Sequence, residues 1–325
     1  MKGLWLENGD IQLRTDLDTP VAGPNEALIK VFYSGICSTD TGLISGLYDF
    51  CGIPGHEFVG IVESGPRDLI GKRVAGEINI ACGECHSCRT VGKKHCSQRK
   101  VLGIREHPGA FAEYVTLPVE NLHVVPQMIS SDVATFIEPL AAAFDIIEKV
   151  DITPELHTVI IGDGKLGQLI ARVIKTKTDN FVVLGRYPEK LSRLPSDIDS
   201  THQSDELDPQ YFDIVIECTG NASGFDTALK LIKPGGKLIL KSTYSTPLSL
   251  DATVLVVNEI QVIGSRCGPF ERAIEYLQDE SNAADIATLI DREFTLTDGV
   301  AAFEHLKHTR TQNKHCLKLV LDITG

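Results

Sequence analysis

The chain has 325 residues, a length that suggests about two domains and ample room for a buried core. An apolar share of 42% and a charged share of 23% are those of an ordinary globular protein, and a formal net charge of −13 excludes the basic surface that nucleic acid or an acidic membrane demands. No run of about 18 apolar residues occurs, so no membrane-spanning helix is expected. The opening Met1-Lys2-Gly3-Leu4-Trp5-Leu6-Glu7 meets an acid before a signal-peptide core can form. The expectation is a cytoplasmic protein that acts on a small molecule and binds neither nucleic acid nor membrane. Nine cysteines is a high count for that compartment, and the crowding of four into one short segment favours metal binding over disulfides.

From residue 1 to about 139 the pattern is mostly β. Strand-like runs at 27–32, 58–62 and 111–117 are punctuated by glycine and proline. Two groups of metal-ligand type fall here. Cys37 and Asp40 lie in Gly35-Ile36-Cys37-Ser38-Thr39-Asp40, and His56 and Glu57 in Pro54-Gly55-His56-Glu57-Phe58. A thiolate, an imidazole and carboxylates can furnish a zinc site with one position open for chemistry. Taken singly, Cys37 reads as a small buried apolar residue and His56 as a hydrogen-bonded loop histidine. The second group is sharper: Cys82, Cys85, Cys88 and Cys96 are spaced C-x2-C-x2-C-x7-C. Four thiolates on one loop suit a closed, structural zinc site. A redox reading is poor, because the C-x-x-C steps overlap and no thioredoxin-like pattern adjoins them.

From about Leu140 helix and strand alternate. A helix is expected over 140–150. Val159-Ile160-Ile161 then reads as a strand buried on both faces, followed by G-x-G-x-x-G at Gly162, Gly164 and Gly167 and a helix with Leu169, Ile170, Val173 and Ile174 on its apolar side. Gly162 permits the tight turn, Gly164 the approach of a pyrophosphate, and Gly167 close packing of helix on strand. Lys165 and Leu166 complete this dinucleotide loop, at a helix N-terminus suited to phosphate. The next strand, 180–184, ends at Gly185-Arg186. NAD sites place an acid there for the ribose 2′-hydroxyl; a glycine leaves room, and a guanidinium binds a 2′-phosphate, so NADP is preferred, with NAD as the alternative. Lys190 could add charge to such a site but reads more simply as a surface helix residue. Further strands are expected at 212–218, 237–241 (after a Pro234-Gly235-Gly236 turn) and 260–264.

The stretches GICSTD at 35–40, PGHEFVG at 54–60, the four-cysteine lobe, GAFAEYV at 109–115, EPLA at 138–141 and GDGKLG at 162–167 together resemble the zinc-containing medium-chain dehydrogenase/reductase superfamily, the alcohol and polyol dehydrogenases. That resemblance implies an α/β fold. A mostly β, GroES-like catalytic domain (1–139, zinc lobe 82–96) would be joined to a Rossmann doubly wound parallel sheet (140–266), with 267–325 returning to the catalytic domain. It implies Cys37 and His56 as ligands of a catalytic zinc, with Glu57, Glu138 or both as carboxylate ligand. Glutamate at 138 leans toward the polyol, glucose and threonine branches. Asp40 would orient the histidine, and Thr39 would bond the substrate oxygen and start the proton relay. Many members carry a histidine a few residues beyond that threonine; here Thr41-Gly42-Leu43 stands instead, so water or another group ends the relay, with His107 a candidate only by elimination. Thr219 and Ser242 would lie near the nicotinamide. Lys318 matches a basic position that reaches the pyrophosphate in some relatives, and reads equally as a solvent-facing strand residue.

The implied protein holds one catalytic and one structural zinc, exchanges a hydride between NADP and an alcohol or its aldehyde or ketone in the cleft between domains, and is a homo-oligomer, dimer or tetramer. The alternatives are a zinc-free quinone or enoyl reductase, against which the full ligand set counts, and a non-catalytic NAD(P)-sensing protein on the same fold.

Overall fold

In the computed structural model, which describes residues 1–46, 48–244, 247–311 and 316–325, the chain divides into two units. Met1–Glu138 joins Phe270–Gly325 in the first, and Pro139–Pro269 forms the second.

The first unit is organised on the strand Glu26–Gly35. Ala27, Ile29 and Val31 alternate into the core, as a half-buried strand requires. Glu57–Ser64 pairs antiparallel along one edge. Along the other, Tyr114–Pro118 covers the first half and Lys318–Asp322 the second, both antiparallel. Arg73–Gly76 and Leu122–Val124 extend the sheet beyond Glu57–Ser64, and Ile290–Thr295 extends it beyond Lys318–Asp322. The register sets Gly35 opposite Glu57 on one side and Val320 on the other, which brings two segments far apart in sequence to the same end of the sheet. Leu4, Leu6, Ile29, Phe58, Phe111, Leu117 and Leu319 fill the core beneath it.

The strand expected over 111–117 begins at Tyr114. The residues before it are used otherwise: the amides of Gly109, Ala110 and Phe111 donate to the carbonyls of Ile53, Gly55 and Pro54 at 2.6, 2.9 and 3.0 Å. This backbone clasp holds the turn that presents His56. Gly55 has φ +97°, and a Cβ at Gly103 or at Gly109 would stand 2.3 Å from the Gly55 carbonyl oxygen; the glycines of these motifs serve close backbone packing.

The second unit is a six-stranded sheet, parallel throughout, in the order Asp199–Thr201, Phe181–Leu184, Thr158–Ile161, Phe212–Glu217, Ile232–Leu240, Gln261–Gly264. That is the doubly wound order, in which the chain starts at the centre and reverses direction once. Thr158–Ile161 is buried at every position. The helix expected from 140 begins at Ile137. The strand expected after the Pro-Gly-Gly turn instead starts at Ile232 and runs through it, absorbing the irregularity as a register shift opposite Phe212 and Ile214. The edge strand Gln261–Gly264 and the adjoining helix Ala252–Val257 carry the exposed Val256, Val257 and Val262. Among the described residues no helix is long and apolar enough to cross a membrane.

Candidate metal and cofactor sites

Cys37 caps the short helix Ser38–Ile44, and its amide donates to Asp40 Oδ2 at 2.8 Å. The same carboxylate offers Oδ1 to His56 Nδ1 at 3.4 Å, and neither atom has a closer hydrogen-bond partner. Both side chains are buried. Burial alone would push the His56 imidazole down, but the Asp40 carboxylate and Cys37 hold it well above its ordinary 6.5. With Nδ1 facing Asp40, Nε2 is left for a ligand, the arrangement by which a carboxylate fixes a metal-binding histidine. Cys37, His56 and Glu57 each place one donor atom within 4.8 Å of the others. Sulfur, nitrogen and oxygen so gathered, with a buried imidazole already paired to a carboxylate, fit zinc. Thr39 Oγ1 lies 3.7 Å from Cys37 Sγ, at the edge of this group.

Glu138 is not in that group. It sits half-buried in the first turn of Ile137–Lys149. His107 is also elsewhere: on the strand Glu106–His107, its Nδ1 lies 2.8 Å from the Pro108 carbonyl, and burial lowers its pKa.

Lys318 corrects the expectation. It faces neither solvent nor a phosphate: its ammonium pairs with Glu57 Oε2, neither side chain has exposed surface, and Nζ lies 4.9 Å from the centre of the Phe136 ring. A buried carboxylate beside a cation-free wall would be too costly, and the lysine supplies the counter-charge. Gly35 makes room for it, since a Cβ there would stand 2.0 Å from Lys318 Nζ.

The four cysteines of the lobe are all free of disulfides. Their sulfurs are separated by 3.5 Å (Cys82–Cys96), 3.4 Å (Cys85–Cys88), 3.8 Å (Cys85–Cys96) and 4.0 Å (Cys82–Cys88). Tetrahedral zinc with sulfur at ~2.3 Å requires edges of about 3.8 Å. The amides of Cys88 and Ser97 pull the Cys85 thiol down to about 5, and the Cys82 amide lowers Cys96. Thiolates are thus favoured at Cys85 and Cys96, while burial and the neighbouring sulfurs push the Cys88 thiol up to about 12.

In the second unit Gly162 has φ +134°, and a Cβ there would strike Cys218 Sγ at 2.8 Å. A Cβ at Gly167 would stand 2.0 Å from the Gly162 carbonyl oxygen, whereas Gly164, at the start of Lys165–Lys175, has nothing within 4 Å of such a position. Two glycines are thus filled in by protein and the middle one stays open, the shape a pyrophosphate needs. Lys165 and Leu166 open the helix. Gly185 ends its strand, with exposed Arg186 next. Thr219 donates its amide (2.6 Å) and its hydroxyl to Glu217 Oε1, Tyr244 donates to Glu217 Oε2, and Ser242 Oγ accepts from the Gly220 amide at 2.8 Å. Thr219 and Ser242 therefore tie the strand ends together. Spacing alone did not disclose the partners Glu217 and Tyr244.

The fold, the donor group and the glycine turn define a zinc-binding, dinucleotide-dependent dehydrogenase, and the comparisons agree. Residues 23–127 match the alcohol dehydrogenase GroES-like domain and residues 194–281 the zinc-binding dehydrogenase domain. The chain belongs to the zinc-containing alcohol dehydrogenase family of the medium-chain dehydrogenases. It is 32% identical over 263 residues to an L-threonine 3-dehydrogenase of Xanthomonas axonopodis pv. citri, covering 74% of each chain. It is 28% identical over 312 residues to a sorbitol dehydrogenase of Halalkalibacterium halodurans, covering 89% of this chain and 90% of the relative. Among solved structures, a protein of Sinorhizobium meliloti 1021 described as a zinc-binding dehydrogenase and bound to NADP superposes with a TM-score of 0.85, 25% identity and 99% coverage of both chains.

Proposed function

We propose that this chain is a zinc-dependent, NADP-preferring oxidoreductase that interconverts an alcohol or polyol and its aldehyde or ketone. The observation that carries the reading is the gathering of Cys37, His56 and Glu57 within 4.8 Å, with Asp40 behind the histidine. Cys37 and His56 hold the metal with a carboxylate from Glu57, or from Glu138 as the family resemblance implies. Zinc held there supplies a Lewis acid for the substrate oxygen, and the nicotinamide supplies the hydride chemistry. The remaining work belongs to this chain's side chains. Asp40 fixes the ring of His56 and its tautomer, and raises its basicity as a ligand. Thr39 bonds the substrate hydroxyl and passes its proton outward to water, since no histidine follows it. Lys318 supplies the counter-charge to Glu57 where neither side chain has exposed surface. Gly162, Gly164, Lys165, Leu166 and Gly167 receive the pyrophosphate, Gly185 and Arg186 the ribose end, and Thr219 and Ser242 shape the nicotinamide end. Cys82, Cys85, Cys88 and Cys96 hold a second, structural zinc.

The compartment of this reading is the cytoplasm. The oligomer is a symmetric dimer or tetramer, for which the exposed edge strand Gln261–Gly264 with Val262 and the neighbouring Val256 and Val257 offers a self-complementary face. The test is zinc per chain and turnover, for wild type and Cys37→Ala, against alcohols and polyols with NADP and aldehydes and ketones with NADPH. The reading expects two zincs falling to one, and loss of turnover with cofactor binding retained. One zinc in both proteins, or turnover surviving in the variant, refutes it.

A further inference from the structure

We propose that the buried carboxylate of Glu217 sets the oxidation state that the second unit favours in its coenzyme, holding the oxidised, positively charged nicotinamide over the reduced one, and so directs the enzyme toward alcohol oxidation. The proposal rests on the dinucleotide reading above and adds a direction to it.

Glu217 is the last residue of Phe212–Glu217 and pairs in register with Ile161, the last residue before the Gly162 turn. Between these two strands the sheet reverses its order, and ligands of doubly wound sheets bind outside the carboxyl ends of the strands at that point. The adenosine half of a dinucleotide belongs to the side of Phe181–Leu184, whose end meets its ribose. The nicotinamide half therefore falls to the side of Glu217 and Ile232–Leu240.

Glu217 has no exposed surface. Its Oε1 accepts from the Thr219 amide at 2.6 Å and from the Thr219 hydroxyl, and its Oε2 accepts from Tyr244. Burial, and then the bond to Glu217, push the Tyr244 phenol above its ordinary 10.0, so the tyrosine keeps its proton and donates. Every bond runs toward the carboxylate, as the ionised form requires. The group also lies against the first turn of Ala222–Leu231, where a Cβ at Gly224 would stand 2.9 Å from Oε1; a helix N-terminus favours an anion. What sets Glu217 apart is the lack of a cation. Of the other buried acids in this unit, Asp163 has Lys190 at 3.8 Å and Asp145 has Lys149 at 3.0 Å. The buried Lys241 ammonium donates to Ser265 Oγ at 3.0 Å and to the Arg266 carbonyl, and that same hydroxyl donates to Asp145 at 2.7 Å, so the lysine is matched to an acid across the serine. Among the described residues no ion pair reaches Glu217. A carboxylate held by hydroxyls and an amide alone leaves its negative charge to act on a cation bound nearby, in a medium that screens charge poorly. An oxidised nicotinamide ring carries one positive charge, which the arriving hydride neutralises. A fixed anion at that end of the crevice stabilises the ring before the transfer and not after it. Such a unit loads the oxidised coenzyme and lets the reduced form go, the order in which alcohol oxidation turns over.

The experiment titrates the zinc-loaded protein by calorimetry with the oxidised and reduced forms of whichever coenzyme the wild type binds more tightly, NADP or NAD, and with 5′-AMP, which has no nicotinamide. Wild type is compared with Glu217→Gln, which keeps the shape and one acceptor oxygen but removes the charge, and with Glu217→Asp and Tyr244→Phe, which keep the charge. Wild type binds the oxidised coenzyme more tightly than the reduced. Two unit charges about 10 Å apart at an effective dielectric of about 20 alter affinity by roughly tenfold, so Glu217→Gln lowers the oxidised-to-reduced affinity ratio by about threefold or more while 5′-AMP binding is unchanged. Glu217→Asp and Tyr244→Phe keep that ratio within about threefold of wild type. A smaller fall in Glu217→Gln, an equal weakening of both oxidation states, or a ratio lost as fully in Tyr244→Phe as in Glu217→Gln marks a merely structural residue and overturns the inference alone. So does a wild type that prefers the reduced form, a result that holds even if the glutamine variant does not fold. A wild type that binds none of these coenzymes fails the dinucleotide reading, and the inference falls with it.

Discussion

Removing the Lys318 ammonium should destabilise the first unit by more than an ordinary core substitution. Lys318 and Glu57 have no exposed surface, and each is the other's direct ionic partner. In Lys318→Met the shape of the stem is nearly kept, but the Glu57 carboxylate stays buried without its cation. Breaking a buried pair from one side costs about 3–5 kcal/mol, whereas replacing both partners by uncharged groups of similar volume is close to neutral. For a unit of this size each kcal/mol moves the unfolding midpoint by about 2–4 °C, so a fall of roughly 10 °C is expected. Glu57→Gln combined with Lys318→Met should recover most of it. The assay is thermal unfolding followed by circular dichroism, with zinc per chain measured on every sample, because metal bound only to the native state would shift the midpoint by mass action. A Lys318→Met midpoint within about 2 °C of wild type, or a double variant no better than the single one, would refute the reasoning.

Two other outcomes follow from named contacts. Gly185→Asp, the exchange that would convert the strand end to an NAD-type acid, should not improve NADH binding. Its Cβ meets Asp163 and Leu191 at 2.7 Å, so the expected result is a loss of about 1–3 kcal/mol from overpacking with both cofactors weakened, read by melting and by nucleotide titration; tighter NADH binding would contradict it. Tyr33 donates to Glu293 Oε1 at 3.1 Å, and burial, with Asp322 and Glu293 nearby, pushes its hydroxyl from the ordinary 10.0 up to about 12. The folded state thus favours the protonated phenol. Its contribution to stability is whole below pH ~10 and is lost as pH rises to about 12. Wild type should lose more stability than Tyr33→Phe across that window, in urea midpoints measured at several pH values; parallel curves would refute the assignment.

The parts of the molecule legible in the sequence were those fixed by neighbours along the chain. Val159-Ile160-Ile161 and the following glycines read as strand and turn because their apolar run and spacing are local signals, and they stand in the structure as Thr158–Ile161 and Lys165–Lys175. The four cysteines were legible for the same reason. The places where reading failed depend on register between distant strands. Lys318 carries no mark in sequence that its partner is Glu57, 261 residues away; only the pairing of Gly35 with both Glu57 and Val320 brings them together. Lys190 looked like a surface helix residue because nothing local shows that Asp163 lies beneath it. The Tyr114 strand started late because the backbone of 109–111 was already engaged by 53–55, a tertiary claim that no propensity records.

The order of strands in the first unit has a bearing on how the protein is made. Lys318–Asp322 lies inside the sheet, between Glu26–Gly35 and Ile290–Thr295, yet it is translated after the whole of the second unit. At about 5–20 residues per second, Glu57 leaves the ribosome on the order of tens of seconds before its lysine. The second unit is continuous in the chain and can close while still tethered. The first waits, its sheet lacking an inner strand and its buried acid lacking a counter-ion. A nascent chain halted short of Lys318 would hold the whole of the second unit while the end of the sheet that gathers Cys37, His56 and Glu57 still lacked its inner strand.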